Sequence, residues 1–248
     1  MKKYELTEET KVIGGKTFFR IRALRSFRDI EAGDLGGFIE NERNLSHGGN
    51  AWVGGNAEVY GNAQVVGYAQ VGGNAQVNGY AQVGGNAWVE DNAQVGGNAR
   101  VSGDAWVNGD ARVNGDAWVE DNARVDGDAW VGGYARVNGD AQVVGDARVD
   151  GNAQVGGDAW VGGNARVGGD GLINSNNDYL CEQGLGSRNR SASFFKCKDG
   201  HIHVLCGCFS GNLDEFENKV KEEHGNSKYS KEYLGFIEVV KTHFEVRQ

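Results

Sequence analysis

The sequence predicts a mainly β protein in which a long array of very short strands sits between two non-repetitive flanks. Three observations carry this prediction. From Val53 to Val167 a valine stands at every sixth position, and an alanine stands two residues before each of them. Glycine supplies 41 of the 248 residues, whereas proline is absent. The pattern begins and ends abruptly, which divides the chain into residues 1–34, a central 35–173 and a distinct 174–248.

A spacing of six does not fit the 3.6-residue period of a helix. It fits strand alternation, in which residues two apart face the same way. The unit reads Val-x-Gly-Asn/Asp-Ala-x. Ala and Val therefore turn together toward a core, while Gly-Asn or Gly-Asp makes a corner, because these residues tolerate left-handed backbone. Weaker copies extend the register back to Leu35-Gly-Gly-Phe-Ile-Glu40 and forward to Ile173. Glycine without proline excludes collagen and argues against a flexible linker protein. A hydrophobic fraction of 39% with six Trp argues against disorder.

The array resembles the hexapeptide repeat of left-handed parallel β-helices, whose aliphatic and small residues occupy the Val and Ala positions. That resemblance implies a triangular coil of three hexads, hence about 7–8 coils over residues 35–173. Relatives of this fold commonly assemble through their faces, so the resemblance also implies a homotrimer. If 18 residues make a coil, residues 18 apart stack, and the outward position after each Ala forms three ladders. One reads Trp52, Gln70, Trp88, Trp106, Arg124, Gln142, Trp160. The others contain Arg112-Trp130-Arg148 and Arg100-Trp118-Arg136, where guanidinium and indole alternate as cation–π geometry requires. Trp88, Trp106 and Arg124 are candidate partner-binding residues, since exposed Trp and Arg anchor interfaces. The competing reading is a solvated, stiffened surface.

Charge is localised. Residues 53–172 hold 15 acidic residues against six Arg, a net charge equal to the whole chain's −9, while the flanks are balanced. This is the opposite of a nucleic-acid binder's bias. No run of 18 apolar residues exists and the N-terminus lacks an apolar signal core. A cytoplasmic protein with no membrane span and four free thiols is therefore expected.

Residues 1–34 predict a β-hairpin, with strands at 2–6, 10–13 and 17–24 around a Gly14-Gly15 turn. A β-helix has open edges that invite end-to-end growth, and the hairpin is suited to covering the first coil. Arg20 and Arg22 on its second strand are the candidate basic recognition patch. Beyond a polar linker at 174–178, Ser193–Cys197 and His201–Phe209 predict a second hairpin across Asp199-Gly200. Asn212 caps a helix with Glu215 at the capping-box position and Gly225 at its end. A further helix begins at Ser230 and buries Tyr233, Ile237 and Val240. The C-terminal flank is thus a small α+β domain.

The stretches Ala32-Gly-Asp-Leu-Gly-Gly-Phe38 and Cys206-Gly-Cys-Phe-Ser-Gly211, with the helix ending at His224-Gly225, resemble hexapeptide-repeat proteins of phages and prophages (YdcK-like and polymer-forming-like proteins). The resemblance implies phage origin and architecture. Hexapeptide acyltransferases use a His beside a cleft between subunits, and carbonic-anhydrase relatives bind zinc through His on the coils. Here no His lies between His47 and His201. The expectation is a non-enzyme without cofactor or assigned metal ligands, with Cys206, Cys208 and His224 as candidate ligand-binding residues. Cys197, His201, His203, Cys206 and Cys208 do not follow a standard zinc spacing, because Cys206 and Cys208 face away from the His pair on a single strand. The expected role is binding a host protein, as an anti-defence inhibitor, or sequestering a small nucleotide-like signalling ligand in the host cytoplasm. The alternatives are a transferase whose active residues lie in the C-terminal domain, and a structural polymer or virion component.

Overall fold

The architecture is a parallel β-solenoid of about eight coils, seen in a computed structural model that describes residues 2–245. Its coils comprise 21 two-residue strands, from β4 (Trp52–Val53) to β24 (Leu172–Ile173). Each strand pairs in parallel with the strand three further on, as Trp88 and Val89 pair with Trp106 and Val107. The 18-residue coil that the resemblance implies is therefore the observed register. The three flat faces are three sheets, and one of them continues into the N-terminal strands β1 (Tyr4–Ile13), β2 (Lys16–Ala23) and β3 (Leu35–Ile39).

Every Ala from Ala51 to Ala165 and every Val of the repeat is sealed from solvent, at 0–1% exposure. Burying a valine contributes about 1.5–3 kcal/mol, so this column is the main apolar support of the fold. At the corners the chain turns through left-handed glycine. A side chain at Gly85 (φ +61°) would sit 2.7 Å from the Gly103 backbone of the next coil, so the corner is closed to anything larger. Asp91 and Asp121 occupy the same slot with positive φ. Their carboxylates compensate by accepting from Gly109 N and Gly139 N one coil on, at 3.2 and 3.1 Å. The neighbouring slot forms amide ladders, with Asn86, Asn98 and Asn122 donating to Asp104, Asp116 and Asp140 at 2.8–2.9 Å. Asp replaces Asn there as the acceptor that receives the Asn N–H.

On one of the three edges the residue after the valine alternates in size from Asn78 onward. It reads Asn78, Gly96, Asn114, Gly132, Asp150, Gly168. Each larger side chain leans over the glycine of the next coil, so a Cβ on Gly96 would meet Asn78 Oδ1 at 2.9 Å and one on Gly168 would meet Asp150 Oδ1 at 2.6 Å.

Both ends are closed, by different chemistry. Within the coils, Trp52 N donates to Ala69 O, Gly54 N to Val71 O and Asn56 N to Gly73 O, and the pattern repeats along the prism. The corresponding carbonyls of the first coil and N–H groups of the last coil therefore have no coil to pair with. At the first coil the residues before Ala51 supply donors. Lys3 Nζ reaches Ala51 O at 2.6 Å, Asn44 Nδ2 reaches Ala63 O, and Phe38 N reaches Ala57 O. At the last coil residues 174–245 supply acceptors. Asn176 Oδ1 takes Trp160 N at 2.7 Å and Ser193 Oγ takes Arg166 N at 2.8 Å, while Tyr179 O–H donates to Trp160 O.

The C-terminal flank is a four-stranded antiparallel sheet, β25 (Tyr179–Leu185), β26 (Arg190–Lys196), β27 (Ile202–Cys206) and β28 (Phe209–Asn212), with helices α1 (Leu213–His224) and α2 (Lys228–His243). Phe195 and Cys197 share the prism's core, whereas Ala192, Phe194, Val204 and Cys206 pack with both helices in a second core. The flank is thus an end cap as well as a domain, a role that the sequence assigns only to residues 1–34. Several boundaries differ from expectation. The linker at 174–178 is a capped 3-10 turn at Asn176–Asp178, held by Ser175 and leading directly into β25. The strand expected over 201–209 breaks at Gly207, which turns the chain back as β28. The second helix begins at Lys228, because Ser227 rather than Ser230 provides the cap. In the first helix Asn212 and Glu215 form the expected capping box.

Two tests follow from this packing. Val107→Asp places an unpaired charge among residues with no solvent access and should cost on the order of 4 kcal/mol, measured by denaturant unfolding. A variant that unfolds with the parent's midpoint would break the register. Lys3 is fully buried, and desolvation with the nearby Arg25 charge lowers its pKa from 10.5 to about 8. Between those values the unfolded chain holds more protons than the folded one, so this residue's contribution to stability rises with pH. From pH 8 to pH 10 the parent should gain on the order of 2 kcal/mol relative to Lys3→Met. Parallel pH profiles would contradict the buried-lysine assignment.

Candidate functional site

The outward ladders are present, but they are not equivalent. On the third face Arg100 and Arg136 lie 4.9 Å from the Trp118 ring on either side, a complete sandwich. The matching sandwich expected around Trp130 is not formed. That indole lies along its own strand over Gly132, where a Cβ would meet it at 2.6 Å. On the first face Trp88 and Trp106 stack at 5.4 Å and 9°. Arg124 covers Trp106 at 5.6 Å, and Arg28 reaches up from the N-terminal flank to cover Trp88 at 5.9 Å. Trp52 does not join an exposed patch: Phe27 packs edge-on against it and only 5% of it is accessible. Trp106 at 38% and Trp160 at 57% are the exposed indoles of that face, three and six coils beyond Trp52 and separated from each other by Arg124 and Gln142. Trp88, Trp106 and Arg124 are thus brought together as predicted, in a stack whose ends are both closed by arginine.

Arg20 and Arg22 lie on β2, but their charges are engaged. Arg22 pairs with Glu5 and Arg20 pairs with Glu9 at 3.3 Å, both across the hairpin. Arg20 also rests over the Phe38 ring at 5.1 Å. They brace the cap across its two strands.

Cys206, Cys208 and His224 converge on one cavity of about 600 Å³. Its walls add Arg188, Arg190 and Lys219, which the sequence does not single out, and Tyr233, which it places only in a helix core. Gly207 (φ +61°) explains how it is kept open: the Arg190 guanidinium occupies the place a Cβ would take. His224 stacks on Tyr233 at 5.6 Å and 19°. Cys206 is buried and its thiol donates to Tyr233 Oη at 4.0 Å, so it is not paired with His224. Burial raises the thiol's pKa, and burial beside Cys206 pushes Tyr233 up to about 12. Both groups are neutral near pH 7, and neither is prepared as a nucleophile.

A second cavity of about 760 Å³ opens between the last coil, the β26–β27 hairpin and the start of α1. Cys197, His201 and His203 meet on its wall, with one ligand atom from each lying within 4.8 Å of the others. Burial, with Asp199 and Asp170 nearby, pushes the Cys197 thiol up to about 11. The sequence groups this trio with Cys206 and Cys208 and assigns no metal ligands, because the two later thiols leave the strand on the face away from the His pair. Cys206 faces the helices and Cys208 sits in the turn beyond it. The signal that locates the trio was the Asp199-Gly200 hairpin itself, since it sets Cys197 directly across from His201.

Comparison with known proteins bears on the coils alone. Residues 93–109 match the family model described as YdcK Beta solenoid repeat, about one coil of the prism. None of the curated proteins matches the chain. The chain is a β-solenoid repeat protein, similar to that family in its repeat.

The ladders generate a quantitative contrast. Trp118→Gln removes two cation–π contacts worth about 0.5–1 kcal/mol each, whereas Trp130→Gln removes none. Trp118→Gln should therefore be about 1 kcal/mol the more destabilising in urea unfolding, and equal midpoints would show that the stacking carries no energy.

Proposed function

We propose that the protein is a non-catalytic β-solenoid scaffold whose C-terminal domain sequesters a small anionic, ring-bearing ligand of the nucleotide kind. The observation that carries this reading is the cavity holding Arg188, Arg190 and Lys219 beside the stacked His224 and Tyr233. Its volume of about 600 Å³ suits a small molecule. Guanidinium groups recognise phosphate in bidentate fashion, and aromatic faces accept a planar base. The neutral thiol and phenol at its base favour binding over chemistry. Closed ends favour a discrete particle over an end-to-end polymer, because unpaired edges are what permit such growth. The likeness of residues 32–38 and 206–211 to phage and prophage hexapeptide-repeat proteins supports a role in a host cytoplasm, withholding a signalling molecule from host defence.

Calorimetry with ATP, ADP and inorganic phosphate tests the reading. A nucleotide should bind at least tenfold more tightly than phosphate, and Arg190→Ala should weaken it by about 10–100-fold, the range for losing hydrogen bonds to a charged group. Nucleotide binding that is unchanged by Arg190→Ala, or no binding of any of the three, would overturn it. Light scattering on the same samples reports whether the particle is the trimer that the fold resemblance implies.

A further inference from the structure

We propose that Cys197, His201 and His203 form a binding site for one divalent transition-metal ion of the zinc class, with a coordination position left open to the adjoining cavity. This site is separate from the nucleotide cavity and lies on the opposite face of the C-terminal sheet's β27 from Cys206.

The geometry is that of a ligand set. His201 Nε2 and His203 Nδ1 face each other at 3.5 Å. Ligand atoms of a tetrahedral zinc centre, bound at about 2.0–2.3 Å, lie roughly that far apart. The outer nitrogen of each ring is already engaged. His201 Nδ1 bonds the Asp199 carboxylate, and His203 Nε2 bonds Ser210 Oγ at 2.9 Å. Metal-binding histidines are oriented in this way, with the nitrogen that does not bind metal held by a carboxylate or another oxygen. The backbone beneath them is fixed. Cys197 N donates to His201 O and Gly200 N donates to Cys197 O, both at 2.9 Å, so the tight turn holds the thiol beside the first imidazole. His203 follows two residues later on β27, against the ring of Phe195 at 5.4 Å.

The donor chemistry selects the metal. One sulfur and two imidazole nitrogens suit zinc, cobalt or nickel and not calcium or magnesium, which require oxygen ligands. Three protein ligands leave a four-coordinate ion with one free position, and the cavity wall beyond it carries Asp170 and Glu215. Cys197 binds as thiolate, so its proton passes to the solvent as the metal enters.

Chelator-treated full-length protein, titrated with Co²⁺ and followed by absorption, tests the assignment. One equivalent should bind, with the intense visible bands of a four-coordinate ion and a thiolate-to-cobalt charge-transfer band in the near ultraviolet. Cys197→Ser should lose the charge-transfer band, and His201→Ala, at a largely exposed position, should lose the stoichiometric binding with the circular dichroism spectrum unchanged. Asp199→Ala should weaken binding by about 10–100-fold, the cost of removing an orienting partner. Cys208→Ser should behave as the parent. A titration without saturation at one equivalent, a charge-transfer band that survives Cys197→Ser, or binding indifferent to His201→Ala would overturn the site and leave the two histidines as a hydrogen-bonded surface pair.

Discussion

Each coil of this protein is held chiefly by the hydrogen bonds it makes to the coil beside it, since its own 18 residues supply only corner bonds such as Ala57 N to Gly54 O. A coil has no helix and no hairpin, and its Ala and Val side chains are too small to close a core alone. Stability is therefore a property of stacking, as in other repeat proteins, and the end coils are where it would fail. The two flanks answer that constraint in opposite senses. Lys3, Phe38 and Asn44 donate to the carbonyls of the first coil, and Asn176 and Ser193 accept from the N–H groups of the last. Placing a lysine where solvent cannot reach is costly, and the Ala51 carbonyl is the polar partner that makes it tolerable.

The prism was legible because a period of six with two apolar positions has few structural solutions. Ala105 and Val107 lie inward, Trp106 lies outward, and the pairing of Trp88 with Trp106 follows from the coil length alone. The orientation of long side chains did not follow. Trp118 and Trp130 sit between arginines in the same sequence pattern, yet only Trp118 is sandwiched, because Gly132 offers Trp130 an apolar ledge on its own strand. Period-two and period-six patterns say which side a residue leaves from and not where its end group comes to rest.

The C-terminal flank was less legible for a related reason. The helix at Asn212 announced itself through its capping box, but Tyr179–Leu185 carries a glycine and one charged residue, Glu182, and has no alternation that marks a strand. It is a strand because it pairs antiparallel with β26, Tyr179 opposite Phe195, while Tyr179 and Cys181 pack on the prism's core. The two cavities were likewise invisible as cavities. Cys206 and His224 are 18 residues apart and meet only through Tyr233, while Cys197 and His201 meet across a turn the sequence did declare.

The alternation of Asn78, Gly96, Asn114, Gly132, Asp150 and Gly168 bears on how such an array can change its length over generations. The amino-acid repeat is nearly periodic, so gain or loss of whole 18-residue coils leaves the Ala/Val core undisturbed. Along this edge, however, loss of a single coil would bring two large side chains onto one another, since each leans into space that only the next glycine vacates. Loss or gain of two coils keeps large over small. From Asn78 to Gly168 the repeat of this edge is thus a pair of coils, twice the 18-residue structural repeat.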